Sequence, residues 1–168
     1  MRSGKQQGFA YLAVLAMVAV ASIMAHQLSG DWSVRMSREK EAELLFNGNQ
    51  IARAIEHYYQ SGPVRGCYPP NLEALLEDRR NFRAVRHLRK MYRDPLAAGD
   101  GEGEGWGILE DGAGRIAGVY SQGKGTPFKQ RDFPPGYANF EGKSRYADWK
   151  FVALPGSLKP ASPGLCAK

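Results

Sequence analysis

The strongest feature of the hydrophobicity pattern is an uncharged apolar run close to the N-terminus. Residues 9–25, FAYLAVLAMVAVASIMA, are 17 consecutive positions without a charged side chain. As a helix this run would be about 26 Å long, slightly shorter than the hydrocarbon core of a bilayer. With the polar residues that follow it, it predicts a membrane helix over residues 9–28. Because Arg2 and Lys5 precede the run, the N-terminus of that helix is expected to stay in the cytoplasm.

The periodicity changes after Ser29 and Gly30, which are expected to interrupt the helix briefly. From residue 31 to residue 60, apolar positions recur at helical spacing, which predicts an amphipathic helix of about 30 residues. The Ser-Gly-Pro sequence at positions 61–63 is expected to end it. The apolar face of this second helix consists of Leu44, Leu45, Gly48, Ile51, Ala52, Ile55, Tyr58 and Tyr59.

An ordinary secretory signal is the main alternative interpretation of the apolar run. It would have the same charge layout, and Ala19-Val20-Ala21 matches the small-residue pattern of a cleavage site. That interpretation predicts a periplasmic protein, one that binds a ligand for example, whose mature chain begins at Ser22 or nearby. A cleaved signal does not require the long helix that follows, and this continuation favours a segment that stays in the mature protein.

The remaining residues, 63–168, predict a small α+β unit. Asn71 is expected to cap a short helix with the sequence LEALLED, and residues 106–121 alternate around the turn DGAG as a β-hairpin does. The segment DWKFVAL predicts a third strand, so the fold class is α+β, with the long helix packed on a three-stranded antiparallel sheet. Residues 121–143 predict a long surface loop. The expected core aromatic residues are Trp106, Tyr120, Trp149 and Phe151.

The chain has two cysteines, Cys67 and Cys166, and neither has the neighbouring ligands of a metal site. In an exported protein they are expected to form a disulfide, and otherwise they are two unrelated thiols.

The order of these features resembles the type IV pilin superfamily, and more narrowly a pseudopilin of the type II secretion system. A short basic leader ends in Gly8, Phe9 and the apolar helix follow, and CYPPNLEALLEDRR, RHLRKMYRDPL, WGILEDGAGRIAGVYSQGKGTPFK and YADWKFV resemble the globular half of the major pseudopilin. The resemblance implies that a prepilin peptidase cuts after Gly8 and methylates Phe9. Residues 1–8 would then be the leader, 9–28 the membrane and filament-core helix, 29–62 its amphipathic continuation, and 63–168 the globular domain.

The resemblance also implies a structural role rather than an enzymatic one. The chain would be a single-pass protein of the bacterial inner membrane, with a periplasmic globular domain. Its partners would be other pseudopilins in a homo- or hetero-oligomeric filament and the assembly platform of the inner membrane, and the filament would help to export proteins across the outer membrane. Small side chains such as those of Ala13, Ala16 and Ala19 permit close helix packing. The residues expected to pack in the filament are Tyr11, Leu12, Ala13, Leu15, Ala16 and Ala19.

One position departs from the family pattern. Members usually carry Glu at the fifth position of the mature chain, where it is thought to neutralise the N-terminal amine of a neighbouring subunit. Here that position is Ala13, and no acidic residue lies between positions 9 and 29. The departure is compatible with a minor or tip subunit, with a divergent system, or with an acid supplied by another subunit.

Two further expectations concern ligands. The resemblance implies that no cofactor is needed except calcium, for which Asp132, Glu141 and Asp148 are candidate ligands. The basic run RRNFRAVRHLRKMYRD, residues 79–94, is a candidate surface for DNA or for acidic lipid head groups, although aromatic residues are sparse in it. A minor pilin of a DNA-uptake system or of a type IV pilus is therefore an alternative function. Nucleic acid is otherwise not expected among the partners.

Overall fold

The computed structural model describes residues 6–97, 105–154, 156 and 160–166. The side chains of residues 6–8, 24–31 and 163 fall outside that description. The chain divides into two compact units, Met1–Glu39 and Lys40–Lys168. Helix α1 (Gln6–Gln60) is assigned without a break at Ser29 and Gly30, so the predicted interruption is wrong. A single glycine lowers helix stability by only about 1 kcal/mol and does not have to end a helix.

The second unit confirms the predicted α+β class. Strands β1 (Trp106–Glu110), β2 (Ile116–Ser121) and β3 (Lys150–Val152) form one antiparallel sheet in the order β1-β2-β3. The turn between β1 and β2 is the predicted one, and Asp111 closes it by accepting the backbone N–H groups of Ala113 and Arg115.

The predicted apolar face of the amphipathic helix lies in the core. Leu44, Ile51, Ile55 and Tyr59 are completely buried or nearly so. Gly48 allows helix α1 to lie close to the sheet, since a Cβ atom at that position would lie 2.5 Å from the ring of Phe151 on β3.

An aromatic cluster fills the space between the sheet and the chain that follows β2. Phe140 is fully buried, and its ring stacks on Trp149 at a centroid distance of 5.6 Å. Phe140 also meets Phe151 edge to face at 5.2 Å. Residues 121–143 are therefore only partly the surface loop that was predicted, because a large aromatic side chain from this segment forms part of the core. Of the expected core aromatic residues, Trp106, Trp149 and Phe151 are buried and Tyr120 is half-buried.

The short helix predicted after Asn71 is only a single 3₁₀ turn, Glu73–Leu75. The Asn71 side chain does accept the N–H of Ala74 at 2.9 Å, as a capping residue does. The turn does not continue as a helix because the Leu75 carbonyl accepts the N–H groups of His87 and Leu88, both at 2.9 Å. A contact with a distant segment thus replaces the next helical hydrogen bond.

The disulfide Cys67–Cys166 is present and joins residues 99 positions apart. Closing a loop of this length stabilises a folded chain by up to about 4.7 kcal/mol in the chain-entropy account. Arg115 supports the same region, because its guanidinium donates to the carbonyl of Tyr68 at 2.9 Å and to the carbonyl of Cys166. The disulfide therefore attaches the C-terminal segment to the chain that follows helix α1.

Glu41 on helix α1 is a buried carboxylate that organises the chain after β2. It is 3% exposed and accepts the backbone N–H groups of Phe128 at 2.6 Å and of Lys129 at 3.2 Å. The Tyr146 hydroxyl donates to the same carboxylate at 2.7 Å. Burial raises the pKa of Tyr146, and the hydrogen bond and the charge of Glu41 raise it further. Three donors from two segments thus converge on one side chain.

Replacing Glu41 with Ala should destabilise the globular unit strongly. The substitution leaves the donors of Phe128, Lys129 and Tyr146 without their acceptor in a buried place, which is expected to lower the free energy of unfolding by about 3 kcal/mol. Glu43 on the same helix is exposed, so Glu43→Ala is a matched control with an expected change within about 0.5 kcal/mol. Urea unfolding followed by tryptophan fluorescence measures both, and equal effects would contradict the assigned role of Glu41.

Candidate functional site: an exposed apolar helix segment

The first unit presents an apolar helix surface to solvent. Every described side chain from position 9 to position 23 is exposed, and the apolar ring of Phe9 is 78% exposed. Apolar surface of this extent on a single helix marks a site of contact with lipid or with another protein. The large exposed side chains are those of Phe9, Tyr11, Leu12, Val14, Leu15, Met17, Val18, Val20 and Ile23.

The same segment has few polar side-chain groups that need hydrogen bonds from water. None of residues 9–23 is charged, and the hydroxyl of Ser22 donates to the carbonyl of Val18 one turn earlier, at 2.8 Å. This internal hydrogen bond removes the need for a solvent partner at Ser22. The segment is therefore chemically suited to an apolar environment over its described length.

The structure places the predicted processing and packing residues on this helix. Gly8 and Phe9 are both helical. Phe9 is exposed, as are all the residues predicted to pack in a filament, namely Tyr11, Leu12, Ala13, Leu15, Ala16 and Ala19. The leader residues Arg2 and Lys5 lie outside the described residues. Across the part of the chain that is described, no helix has an apolar stretch long enough to cross a membrane. The span over residues 9–28 stays a prediction.

A buried ionic cluster in the second unit binds the C-terminal end of helix α1. Asp78 is 1% exposed and accepts hydrogen bonds from Arg80 at 2.7 and 2.9 Å and from His87 at 3.0 Å. The Arg80 guanidinium also donates to the Tyr58 carbonyl at 2.8 Å and lies over the Tyr58 ring, 3.4 Å from its centre. An arginine that binds the last carbonyls of a helix stabilises its C-terminus. This arrangement is a structural device, and the sequence pattern did not reveal it.

A cavity of about 860 Å³ opens beside this cluster and the disulfide. Three arginines lie on its wall, and each charge already has a protein partner. Arg79 pairs with Glu77 at 3.0 Å, Arg80 pairs with Asp78, and Arg115 binds backbone carbonyls. The cavity therefore has mostly apolar walls, and each of these cations already binds a protein group, although the buried Nη1 atom of Arg80 has no hydrogen-bond partner among the described residues. These features do not define a ligand.

The three candidate calcium ligands are not assembled into a metal site. Asp132 and Glu141 are exposed, and Asp148 is bound by the guanidinium of Arg145 at 3.0 and 3.2 Å. Among the residues that the structure describes, no group of three His, Cys, Asp or Glu side chains could hold a metal ion. Calcium binding stays a prediction.

The basic run differs from a uniformly solvated surface. Arg79 and Arg80 have acidic partners, whereas Arg83, Arg86, Arg89 and Lys90 are exposed and form no ion pair with any acidic residue in the described ranges. Arg86 donates only to the carbonyl of Leu76, at 3.3 Å.

Comparison with known proteins found no matching family model, no matching curated protein and no matching solved structure. The resemblance to the pilin superfamily therefore rests on the sequence features alone.

The buried cluster generates a prediction about acid stability. Burial raises the pKa of Asp78, but hydrogen bonds from the side chain and backbone of Arg80 and from His87 outweigh it and lower the pKa to about 2. A carboxyl whose pKa falls on folding contributes stability that is complete above its unfolded value, near 4, and is lost as the pH falls toward 2. Asp78→Asn should lower the free energy of unfolding at pH 7 by about 3 kcal/mol.

Urea unfolding at several pH values checks this prediction. The difference between the wild type and Asp78→Asn should shrink as the pH falls from about 4 to about 2, because protonation removes the same charge. Asp132→Asn changes an exposed acid and is the matched control, with no expected effect on the free energy of unfolding at any of these pH values. A difference that stays constant across this pH range would show that the charge of Asp78 does not stabilise the fold.

Proposed function

We propose that this chain is a structural subunit of a pilin-type filament, a pseudopilin or minor pilin of a type II secretion-type machine. The observation that carries the proposal is the order Gly8, Phe9 and then a helix whose uncharged apolar side chains are all exposed over residues 9–23. A surface of this kind needs an apolar partner before and after assembly. A bilayer and the helices of other subunits are two partners that suit it.

In this proposal a prepilin peptidase removes residues 1–8 and methylates the new N-terminus at Phe9. The apolar helix anchors the subunit in the inner membrane and later packs against other subunits, where the small side chains of Ala13, Ala16 and Ala19 permit close approach. The globular unit lies in the periplasm, on the outside of the filament. The disulfide Cys67–Cys166 is compatible with this location, because disulfides persist in oxidising compartments.

Ala13 makes the bulk of the filament a less suitable place for this subunit than an end. A charged N-terminal amine that is buried among helices is costly unless an acid neutralises it. Residues 9–23 contain no acid, so this subunit cannot neutralise a neighbour's amine from that part of its helix. Inside the filament each subunit has neighbours on both sides and takes part in two pairings between an amine and an acid. A subunit at the tip has a neighbour on one side only, so one of these two pairings is not required.

The mature N-terminus tests the proposal directly. In cells that contain a prepilin peptidase, intact mass and N-terminal peptide analysis should find a chain that begins at N-methylated Phe9. Gly8→Leu should block this processing. Ala21→Leu alters the alternative signal-peptidase pattern and should leave cleavage before Phe9 unchanged. A mature chain that begins at Ser22 or His26, and that Ala21→Leu prevents, would contradict the proposal and favour an ordinary exported protein.

A further inference from the structure

The second unit contains a fixed loop with unusual surface chemistry, here called the basic loop, residues 79–90. Its base is held by a two-residue bridge, in which the N–H of Asp78 donates to the Val85 carbonyl at 2.8 Å and the N–H of Val85 donates back at 2.9 Å. The buried Asp78 side chain also binds Arg80 and His87 within the loop. These hydrogen bonds hold the base of the loop in place, and the tip projects from that base.

The tip of the basic loop carries an apolar side chain that is exposed to solvent. Phe82 is completely exposed, and Val85, three positions further on, is 37% exposed. Single exposed apolar residues are common on protein surfaces, so exposure alone does not indicate a site. The neighbouring charges are a second observation, and together with the exposed ring they indicate a binding surface.

The charged residues of the basic loop itself are all positive. No acidic residue occurs between Arg79 and Arg93 in the sequence. Four of the cations, those of Arg83, Arg86, Arg89 and Lys90, are exposed and have no ion pair within the described parts of the chain. Arg86 also donates to the Leu76 carbonyl at 3.3 Å, and the Lys90 ammonium lies 5.3 Å from the centre of the Tyr92 ring. Unpaired guanidinium groups bind phosphate oxygens with two parallel hydrogen bonds. The basic loop thus combines phosphate-binding groups with an apolar tip.

We propose that the basic loop docks on the surface of an anionic bilayer, with Phe82 inserted at the boundary between head groups and acyl chains. The four unpaired cations would then lie at the level of the lipid phosphates, where each contributes about fivefold in affinity. The inference rests on the proposed function in one respect, since that function keeps the globular unit tethered to a membrane before assembly. Because Arg80 fixes the loop to Tyr58 near the C-terminal end of helix α1, docking in the unassembled subunit requires this helix to bend between its membrane segment and the globular unit.

The size of the tip favours a bilayer over a protein or a nucleic acid. A stable protein interface buries about 1,000 Å² or more, and one exposed ring with half of a valine supplies a small part of that area. In a nucleic acid, a Phe tip must unstack bases at a cost of a few kcal/mol. Tyr92, the other aromatic residue of the basic run, is already packed edge to face on Phe46. A bilayer offers an anionic surface directly above an apolar layer and matches both features.

A tryptophan introduced at position 82 provides a direct test in the full-length chain. Phe82→Trp is reconstituted into lipid nanodiscs of phosphatidylcholine alone or with about a third of phosphatidylglycerol, which makes the surface anionic. Brominated acyl chains quench tryptophan only when the indole reaches the apolar layer. The signal of the introduced indole is obtained by subtracting the wild type, because Trp32, Trp106 and Trp149 are shared. We expect a blue shift and quenching in anionic discs only.

Salt and charge variants test the electrostatic part. At about 1 M salt, where the Debye length is about 3 Å, the quenching of the introduced indole should disappear. Replacing the four unpaired cations with Ser should weaken docking by about 10²- to 10³-fold and remove the signal. The matched control replaces four exposed cations elsewhere with Ser and should keep it, these being Lys124, Arg131, Lys143 and Lys150. Leu154→Trp places the probe at an exposed apolar site with no basic neighbour within two positions and should not be quenched.

The possible outcomes separate this inference from the proposed function. A chain that does not stay in either type of disc contradicts the membrane anchor and hence the proposed function. A chain that is anchored, but whose introduced indole remains solvated in anionic discs, overturns the inference about the loop alone. Equal quenching in neutral discs also overturns it, because charge then plays no part. So does a change in neutral discs that appears only when duplex DNA or polyglutamate is added, since the partner is then a nucleic acid or an acidic protein.

Discussion

The fold of the globular unit depends on the close approach of helix α1 to strand β3 at Gly48. A Cβ atom at this position would lie 2.5 Å from the ring of Phe151, so only glycine lets the helix backbone come this near to the sheet. The approach places Phe151 among Trp106, Tyr137 and Phe140, with which it makes edge-to-face contacts. A side chain at position 48 would separate helix and sheet and open the aromatic core.

Buried acids attach the irregular parts of the chain to this core. Glu41 holds the segment after β2 and Asp78 holds the basic loop. Asp94 accepts the Ser121 hydroxyl at 2.7 Å and the Gln122 N–H at 3.0 Å. Each of these carboxylates lies in the interior and is satisfied by several donors, which is the condition under which a buried charge is tolerated. Over its described residues the unit has little regular structure outside one helix and three short strands, and these hydrogen bonds attach the irregular segments to the core.

Local patterns in the sequence predicted the elements that local interactions determine. The apolar face of residues 44–59, the hairpin and its Asp-Gly turn, and the third strand follow from periodicity and turn chemistry. The errors occur where distant residues decide the outcome. The predicted helix after Asn71 stops at Leu75 because His87 and Leu88 bind its carbonyl. The loop after β2 enters the core because the ring of Phe140 packs against Trp149 and Phe151. Neither contact can be inferred from spacing along the chain.

The candidate site and the basic loop also combine features that the sequence predicts with features that only the structure shows. Its composition and its position behind Gly8 can be read from the sequence, and the structure adds that its side chains are exposed over residues 9–23. The anchored tip of the basic loop could not be predicted, because a run of arginines does not show which of them find acidic partners. Arg79 and Arg80 do, and Arg83 and Arg86 do not, among the described residues.

The proposed function requires the exposed apolar helix to pack against the helices of other subunits. The most direct test is a photo-crosslinking amino acid at Leu15, introduced into the full chain in cells that contain the assembly machine. We expect light-dependent adducts with the N-terminal helix of a pilin-like subunit, and none when the same crosslinker replaces exposed Lys124. Adducts with lipid alone from position 15, or a mature chain that lacks this position, would contradict it.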